Sequence, residues 1–503
     1  MQPHEHASVK PTKKRERKRR TMHLKTQKRN GRAYLSVVQN YRDGGKIKSR
    51  TVETIGYADE FADAYDDPIA HFRSYVDQLN RNTARQDQPI EFSFDSNHEI
   101  DMAAAPPARL GASIALGCLD ALGIHSFFRA HAGCEGFLPC AGRVFEMLAT
   151  ERMMHATSKR ESWAARAAFP RECDFSFDQV YEALSCFARE SARIDAKMLR
   201  ARKKVTGEPD TDRVFLICGS YAFPIDGGSR RASIAVAIDG GGMPLGFHAI
   251  DGRLEPAQFR EAVDELKERL ESSRAVVIAG GLRDLEPTIA ELAATDDGFV
   301  LYQRDFRNSP NLAAWADDES GYASMSAGVF MKERVTNRTL THGEQLPVKE
   351  VVLRGGGYAT NYSHAMLVSS ELDLSGAAIV QLYRELWRQA EPFQPLEADF
   401  SSMPYPTSAQ DHIRAHFTVC YTAFFALRLL RWKMGGTYNA ADTADALLHM
   451  EGIHLQRNYY LFNYRSAVTD CIEEAIGIDK ALRLRTRGDL RSIPSSVKSS
   501  FEP

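Results

Sequence analysis

Residues 213–280 read RVFLICGSYAFPIDGGSRRASIAVAIDGGGMPLGFHAIDGRLEPAQFREAVDELKERLESSRAVVIAG, and the fold class turns on this stretch. VFLICGSYAF (214–223) is a short apolar run of the kind buried in a sheet, and ASIAVAID (232–239) is a second. Asp239-Gly240-Gly241-Gly242 turns the chain and MPLGFHAI (243–250) runs back as a third strand. This glycine cluster is no phosphate loop, because neither Lys-Ser/Thr nor a helix follows it. PAQFREAVDELKERLES (256–272) carries one apolar stripe at helical spacing, and RAVVIAG (274–280) is apolar enough for the middle of a sheet. DLEPTIAELAAT (284–295) and GFVLYQRD (298–305) repeat the helix–strand alternation. Three meandering strands followed by helix–strand–helix–strand predict a mixed α/β sheet.

Working outward, GVFMKERV (328–335), LPVKEVVLR (346–354) and YSHAMLVSS (362–370) alternate like strands, so 311–370 is expected to be a β-rich insertion. SGAAIVQLYRELWRQAEP (375–392) reads as a helix. HIRAHFTVCYTAFFALRLLRWKM (412–434) is apolar nearly all round, as a core helix is. The core domain is thus assigned to 210–310 and 371–435, with helices and a polar tail over 436–503. On the N-terminal side, 108–205 is helical: ARLGASIALGCLDALGI (108–124) and the long FDQVYEALSCFARESARIDAKMLRARKK (177–204) are its clearest pieces. Arg200, Arg202, Lys203 and Lys204 cluster at the end of the latter, where cations suit a helix C-terminus as well as they suit DNA. Residues 80–107, ending in Ala-Pro-Pro, read as a linker.

Before the linker, AYLSVVQNYRDGGKIKSRTVETIGY (33–57) alternates around Asp43-Gly44-Gly45, a hairpin signal. With a helix over 69–79 it makes a small basic unit, 31–80. Residues 1–30 are read as a disordered basic arm. The total charge is only −2, but residues 1–50 hold 16 Lys/Arg against 3 Asp/Glu, and the remainder 48 against 63. A +13 head on a −15 body points to a polyanion for the head. The arm cations Lys13, Lys14, Arg15, Arg17, Lys18, Arg19 and Arg20, with Arg42, Lys46, Lys48 and Arg50 of the hairpin, are the candidate phosphate contacts. The eight cysteines are spread without a framework, as reduced thiols would be. Cys134 and Cys140 near His125 and His131 fit no usual zinc spacing, so no metal site is assigned there. No run of about 18 apolar residues spans a membrane and no apolar core follows the basic start, so a cytoplasmic protein is expected, nucleoid-associated if bound to DNA.

The order of these pieces resembles the insertion-sequence transposases of the DDE type, built on a ribonuclease-H-like fold. The pieces that carry it are the hairpin at 33–57, SIAVAIDGGGMPLGFHAIDGRLEP (233–256), VVIAGGLRDLEPTIAEL (276–292), and LYRELWRQAEPFQPLEADFSSMPYP (382–406) followed by 412–427. The resemblance implies binding of duplex DNA at transposon ends and DNA transposition, with a second copy or an active relative as protein partner. It also implies three carboxylates, because cleavage by two Mg²⁺ ions needs converging oxygen ligands.

Those carboxylates are not where the resemblance places them. The first strand carries Ile217 or Cys218 at the acid's position, and the fourth strand Ala279 or Gly280. The third acid lies seven residues beyond a Tyr and three beyond a Trp; counting from Tyr383 and Trp387 reaches Ala390. The weak stand-ins are Asp226 in a turn, Asp284 at a helix start, and Glu391. Glu391 is one residue late, about 100° around its helix. Ser220 makes no nucleophile elbow, and Cys218 reads as a core thiol. The expectation is therefore a transposase-like DNA-binding protein with a degenerate active site and no cofactor. One alternative is an active enzyme using Mg²⁺ on displaced acids. The other is a non-catalytic protein binding RNA or acidic partners.

Overall fold

The computed structural model describes residues 22–29, 31–43, 46–61, 67–86, 92, 106–225, 228–280, 282, 285–326, 328–340, 343–355, 364–393, 395, 409–455, 457–479 and 483–502. The chain divides into two compact units, Met1–Glu99 and Ile100–Pro503.

In the first unit, β1 (Met22–Arg29), β2 (Arg32–Asp43) and β3 (Lys46–Tyr57) form an antiparallel sheet with β2 in the middle, followed by α1 (Pro68–Gln86). The β2–β3 register closes on Asp43 opposite Lys46, which leaves two residues for the connection, as the hairpin reading requires. α1 begins where Asp67 Oδ1 accepts from the amides of Ile69 and Ala70, with Pro68 at the first helical position. The helix runs to Gln86, past the boundary at 80. β1 corrects the disordered arm over its second half: 22–29 is a strand. Only Met22 and Leu24 are apolar in MHLKTQKR, so periodicity is faint, but an edge strand tolerates charge on its open side.

The second unit opens with β4 (Ala108–Arg109), α2 (Leu110–Ala121), α3 (Ile124–Ala130), α4 (Ala141–Met154), α5 (Lys159–Ala164) and α6 (Phe177–Thr206). The region at 213–305 then delivers the expected order: β5 (Arg213–Ile225), β6 (Gly228–Ile238), β7 (Pro244–Asp251), α7 (Pro256–Leu270), β8 (Arg274–Ala279), α8 (Leu285–Ala293) and β9 (Gly298–Tyr302). After α9 (Pro310–Asp317) the insertion forms β10 (Ala323–Ser326), β11 (Val329–Thr339), β12 (Gln345–Arg354) and β13 (His364–Ser369). These four strands extend the same sheet, because β13 pairs antiparallel with β9. The nine-stranded order is β10-β11-β12-β13-β9-β8-β5-β6-β7, in which β5, β8 and β9 are parallel neighbours.

Helices cover both faces of the central strands, as parallel pairing demands. On one face Leu216, Cys218, Val277 and Ala279 pack with Phe259 of α7 and Ile289 of α8. On the other, Phe215, Ile217, Val276 and Ile278 join the larger core with Ile379, Val380 and Tyr383 of α10 (Gly376–Phe393). That core also holds α11 (Ala409–Lys433), buried almost throughout from His412 to Leu430, and the apolar sides of α2, α4 and α6. The helical region 108–205 and the sheet therefore share one interior.

The C-terminal part departs from an all-helical reading. α12 (Ala440–His449) is followed by β14 (Glu451–His454), β15 (Tyr459–Phe462), α13 (Ala467–Ala475), β16 (Leu484–Thr486) and α14 (Arg487–Ser500). The three strands join β4 in a small sheet, order β16-β15-β14-β4. Strands of three or four residues are too short for period-2 alternation to register. The expected polar tail is α14, whose Leu490, Ile493 and Val497, with Phe501 just after its end, line one side at helical spacing and are buried. It packs on α2 at Gly117, where a Cβ would lie 2.5 Å from that of Val497.

Arg202, grouped by sequence with the surface cations of α6, is buried instead, 2.5 Å from Asp239 in the β6–β7 turn. Two turns earlier in α6, burial pushes the Asp195 carboxyl up to about 6, only partly opposed by Arg269 at 3.3 Å. The folded state holds this proton more tightly than the unfolded chain, so the group's contribution to stability is greatest below pH ~4 and is lost as pH rises through ~6. Asp195→Asn removes that dependence. Its stability relative to the wild type should improve by up to about 3 kcal/mol between pH 4 and pH 8, read from urea unfolding at both.

Candidate nucleic-acid interface

The sheet of the first unit has one side turned to α1. The Tyr75 hydroxyl donates to Glu53 at 3.0 Å, and Glu53 stands in register with Val37, which pairs with Leu24. The Asn80 side chain closes a second link, accepting from the Met22 amide at 2.8 Å and donating to its carbonyl at 2.7 Å. Alternation then turns His23, Lys25 and Arg29 of β1 to the opposite side, where all three are exposed. Arg29 lies 4.3 Å from the ring centroid of Tyr34, which meets Tyr57 edge-on at 5.0 Å. A guanidinium stacked on a ring keeps its outward N–H groups free to face a phosphate.

The remaining cations differ in how much charge they offer. Arg50 donates through Nε and Nη2 to the neutral Gln39 Oε1, at 3.2 and 2.8 Å, so it is aimed without being neutralised. Arg32 is held by Asp59 at 2.5 and 2.7 Å and by Glu60 at 3.3 Å. That hydrogen-bonded pairing lowers the Asp59 carboxyl below its usual range and leaves little charge over. Of the sequence candidates, Arg50 is thus placed on the sheet. Arg42, Lys46 and Lys48 fall in the paired strands, with their side chains outside the described residues. Lys13, Lys14, Arg15, Arg17, Lys18, Arg19 and Arg20 also lie outside the described residues. Sequence reasoning missed Lys25, Lys28 and Arg29; the available signal was faint, with only Met22 and Leu24 apolar in the strand.

In the large sheet, the positions named for the first two acids are neighbours. Ile217 pairs with Ile278 and Cys218 with Ala279. All four are buried and apolar in character, and burial pushes the Cys218 thiol up to about 12, far from a thiolate. The two-fold alternation separates the alternatives: Ile217 lies on the α10 side, while Cys218 and Ala279 lie on the α7–α8 side. Gly280 lies one residue beyond the end of β8. Ala390 and Glu391 fall within α10, their side chains outside the described residues, as are Asp226 and Asp284 altogether. Tyr383 is a packing residue, its ring stacked 6.0 Å from that of Tyr302.

Elsewhere, Asp120, His125 and Glu146 bring potential metal-ligating atoms within 4.8 Å of one another. Arg171 pairs with Asp120 and lies 2.9 Å from Glu146, and Arg143 is also 2.9 Å from Glu146. Burial would raise the Glu146 carboxyl, but the His125 hydrogen bond and these guanidiniums hold it below its usual range. The cluster already contains the positive charge a cation would bring, so it reads as an ion network. Cys134 and Cys140 are outside it, and none of the eight cysteines is in a disulfide.

Among the described residues no single helix is long and apolar enough to cross a membrane. No curated protein matches the chain. Among solved structures, the Argonaute of Marinitoga piezophila, crystallised with a 5′ OH guide RNA and target DNA, is similar at 13% identity. The match covers 42% of this chain and 33% of that one, with a TM-score of 0.19. Residues 22–90 match the family described as IS1634 family transposase, N-terminal domain. This span begins with β1 and takes in the whole three-stranded sheet and α1, and it supports an insertion-sequence transposase of a mobile element.

Proposed function

We propose that the chain is a transposase-like protein that binds the duplex DNA of transposon ends through its basic head and has lost the metal site for strand cleavage. The observation carrying this reading is the buried, apolar pair of strands β5 and β8. In the order β7-β6-β5-β8-β9, three antiparallel strands are followed by two parallel ones, which suits a ribonuclease-H-like core. In such a core the metal-binding acids come from the positions filled here by Ile217 or Cys218 and by Ala279 or Gly280. Aliphatic side chains, a glycine and a protonated thiol offer no hard oxygen to Mg²⁺, so the residues present do not fit the ion. The third position, Ala390, is equally without a ligand. A protein that still reads transposon ends but does not cut them competes with an active relative for the same DNA.

Incubation of the full chain with labelled transposon-end duplex and Mg²⁺ or Mn²⁺ is expected to give retarded complexes and no nicked strand. Cleavage that Asp284→Ala or Glu391→Ala abolishes would overturn the degenerate reading in favour of displaced acids.

A further inference from the structure

The second unit is the acidic part of the chain, yet α6 carries a cationic stripe. At 100° per residue, Arg189, Arg193, Lys197, Arg200, Lys203 and Lys204 fall within about 120° of arc. Arg189, Arg193, Arg200, Lys203 and Lys204 are exposed and Lys197 half-buried. The exposed positions between them are Ala192 and Ala196, so no exposed carboxylate of α6 itself interrupts the stripe from 189 to 204, and just beyond the helix Glu208 pairs with Lys203 at 2.8 Å. The buried Glu190 sits at its margin, 3.0 Å from Arg189 and 2.8 Å from Arg193, so one carboxylate offsets part of the charge of two guanidiniums that remain exposed. Arg193 also reaches His131 at 2.7 Å, and Arg189 donates to the Gly136 carbonyl at 2.9 Å.

A favourable helix dipole accounts for Lys203 and Lys204 in the last turn, but its effect fades within that turn. It does not account for Arg189, Arg193 and Lys197 in the body of the helix. Along the stripe the i,i+4 neighbours are like charges, Arg189–Arg193, Arg193–Lys197 and Arg200–Lys204, an arrangement that destabilises an isolated helix. Such a ridge is relieved by a polyanion laid along it. Its length of about 22 Å exceeds half a turn of duplex, and the two alanines let a sugar–phosphate backbone approach between the long side chains.

We propose that this face of α6 is a second duplex-DNA contact, sequence-independent and separate from the basic head. It rests on the reading of the chain as a duplex-binding protein. The test uses the full chain and a random-sequence duplex in fluorescence anisotropy across a salt series. Four proteins are compared: wild type; Arg193→Glu with Arg200→Glu and Lys204→Glu; Ala192→Glu with Ala196→Glu, which keeps every cation; and a head variant with the seven arm cations changed to Gln. The triple variant is expected to bind at least about tenfold more weakly at 0.1 M salt, with the slope of log K on log salt shallower by about 3. The double variant should weaken binding too, with circular dichroism and melting unchanged in both. Wild-type affinity and slope in both α6 variants, alongside a weakened head variant, overturn the α6 contact and leave the head reading standing. Weakened α6 variants with an unaffected head variant support the α6 contact and remove the head as the interface. No binding by the wild type at low salt removes both.

Discussion

Changing Lys13, Lys14, Arg15, Arg17, Lys18, Arg19 and Arg20 together to glutamine is expected to weaken duplex binding by at least about a hundredfold at 0.1 M salt. It should also flatten the salt dependence by up to about 6 in the slope of log K on log salt, if each cation neutralises one phosphate. These residues hold seven of the sixteen cations in the first fifty positions, against two acids in the first twenty. The loss should be uniform across sequences, because phosphate contacts position a protein without reading bases. Exchange of Lys25 and Arg29 on the exposed side of β1 adds to it in proportion to the charge removed. Affinity and slope unchanged in the sevenfold variant would assign the +13 charge of the head to solubility alone.

Gly111→Ala has the largest expected effect on stability. α2 passes the end of α12 so closely that a Cβ at 111 would lie 1.8 Å from the Leu447 carbonyl oxygen and 2.5 Å from its carbon. The obstacle is backbone, and that backbone is tied in place by the Leu110 amide donating to the Met450 carbonyl at 2.9 Å. Relief requires α2 to move within a core where Leu110, Ala112, Ile114 and Ala115 are buried. The expected loss is at least about 3 kcal/mol, or no soluble protein. Gly240→Ala, where a Cβ meets nothing within 4 Å, is the matched control and should stay within about 0.5 kcal/mol of the wild type. Comparable urea midpoints for the two variants would show that α2 is free to shift.

The α/β order was legible in the sequence because the strands at 214–223, 232–239 and 274–280 are nearly unbroken apolar runs, the helix at 256–272 carries a full-length stripe, and 412–434 is apolar nearly all round. Signals of that size survive whatever packs against them. β1 was not legible because an edge strand needs few apolar side chains. β14 and β15 form a local hairpin, Gly452 opposite Phe462, but each is only four residues long, and the small sheet is completed by distant partners: Glu451 with Arg109, Tyr459 with Thr486. The join of the insertion onto β9 is likewise a long-range pairing, Val368 with Leu301, that no local pattern announces.

At the candidate site, the sequence could name positions but not faces. Ile217 and Cys218 are adjacent in the chain and opposite in space, one toward α10 and one toward α7 and α8. Only the register shows that Cys218 and Ala279 share the side away from α10. The cationic stripe of α6 was half legible. Its last turn stood out as a cluster of like residues, but the cluster wrongly included Arg202, which turns inward to Asp239. The mid-helix members were hidden among acids that the helix buries, Glu190 and Asp195 among them.

The seating of α14 on α2 has a consequence for how the protein is made. The groove at Gly117 is laid down early in translation of the second unit, and the Val497 that fills it leaves the ribosome far later. β4 waits in the same way for β14. Until then the nascent chain holds α2 with an uncovered apolar flank, a surface that chaperones bind and proteases reach. A stop codon falling between 480 and 490 would remove fewer than one residue in twenty and still deny the core its closing piece. In a mobile element, such late nonsense mutations would silence a copy at the level of protein turnover, with every residue of the proposed DNA contacts left unchanged.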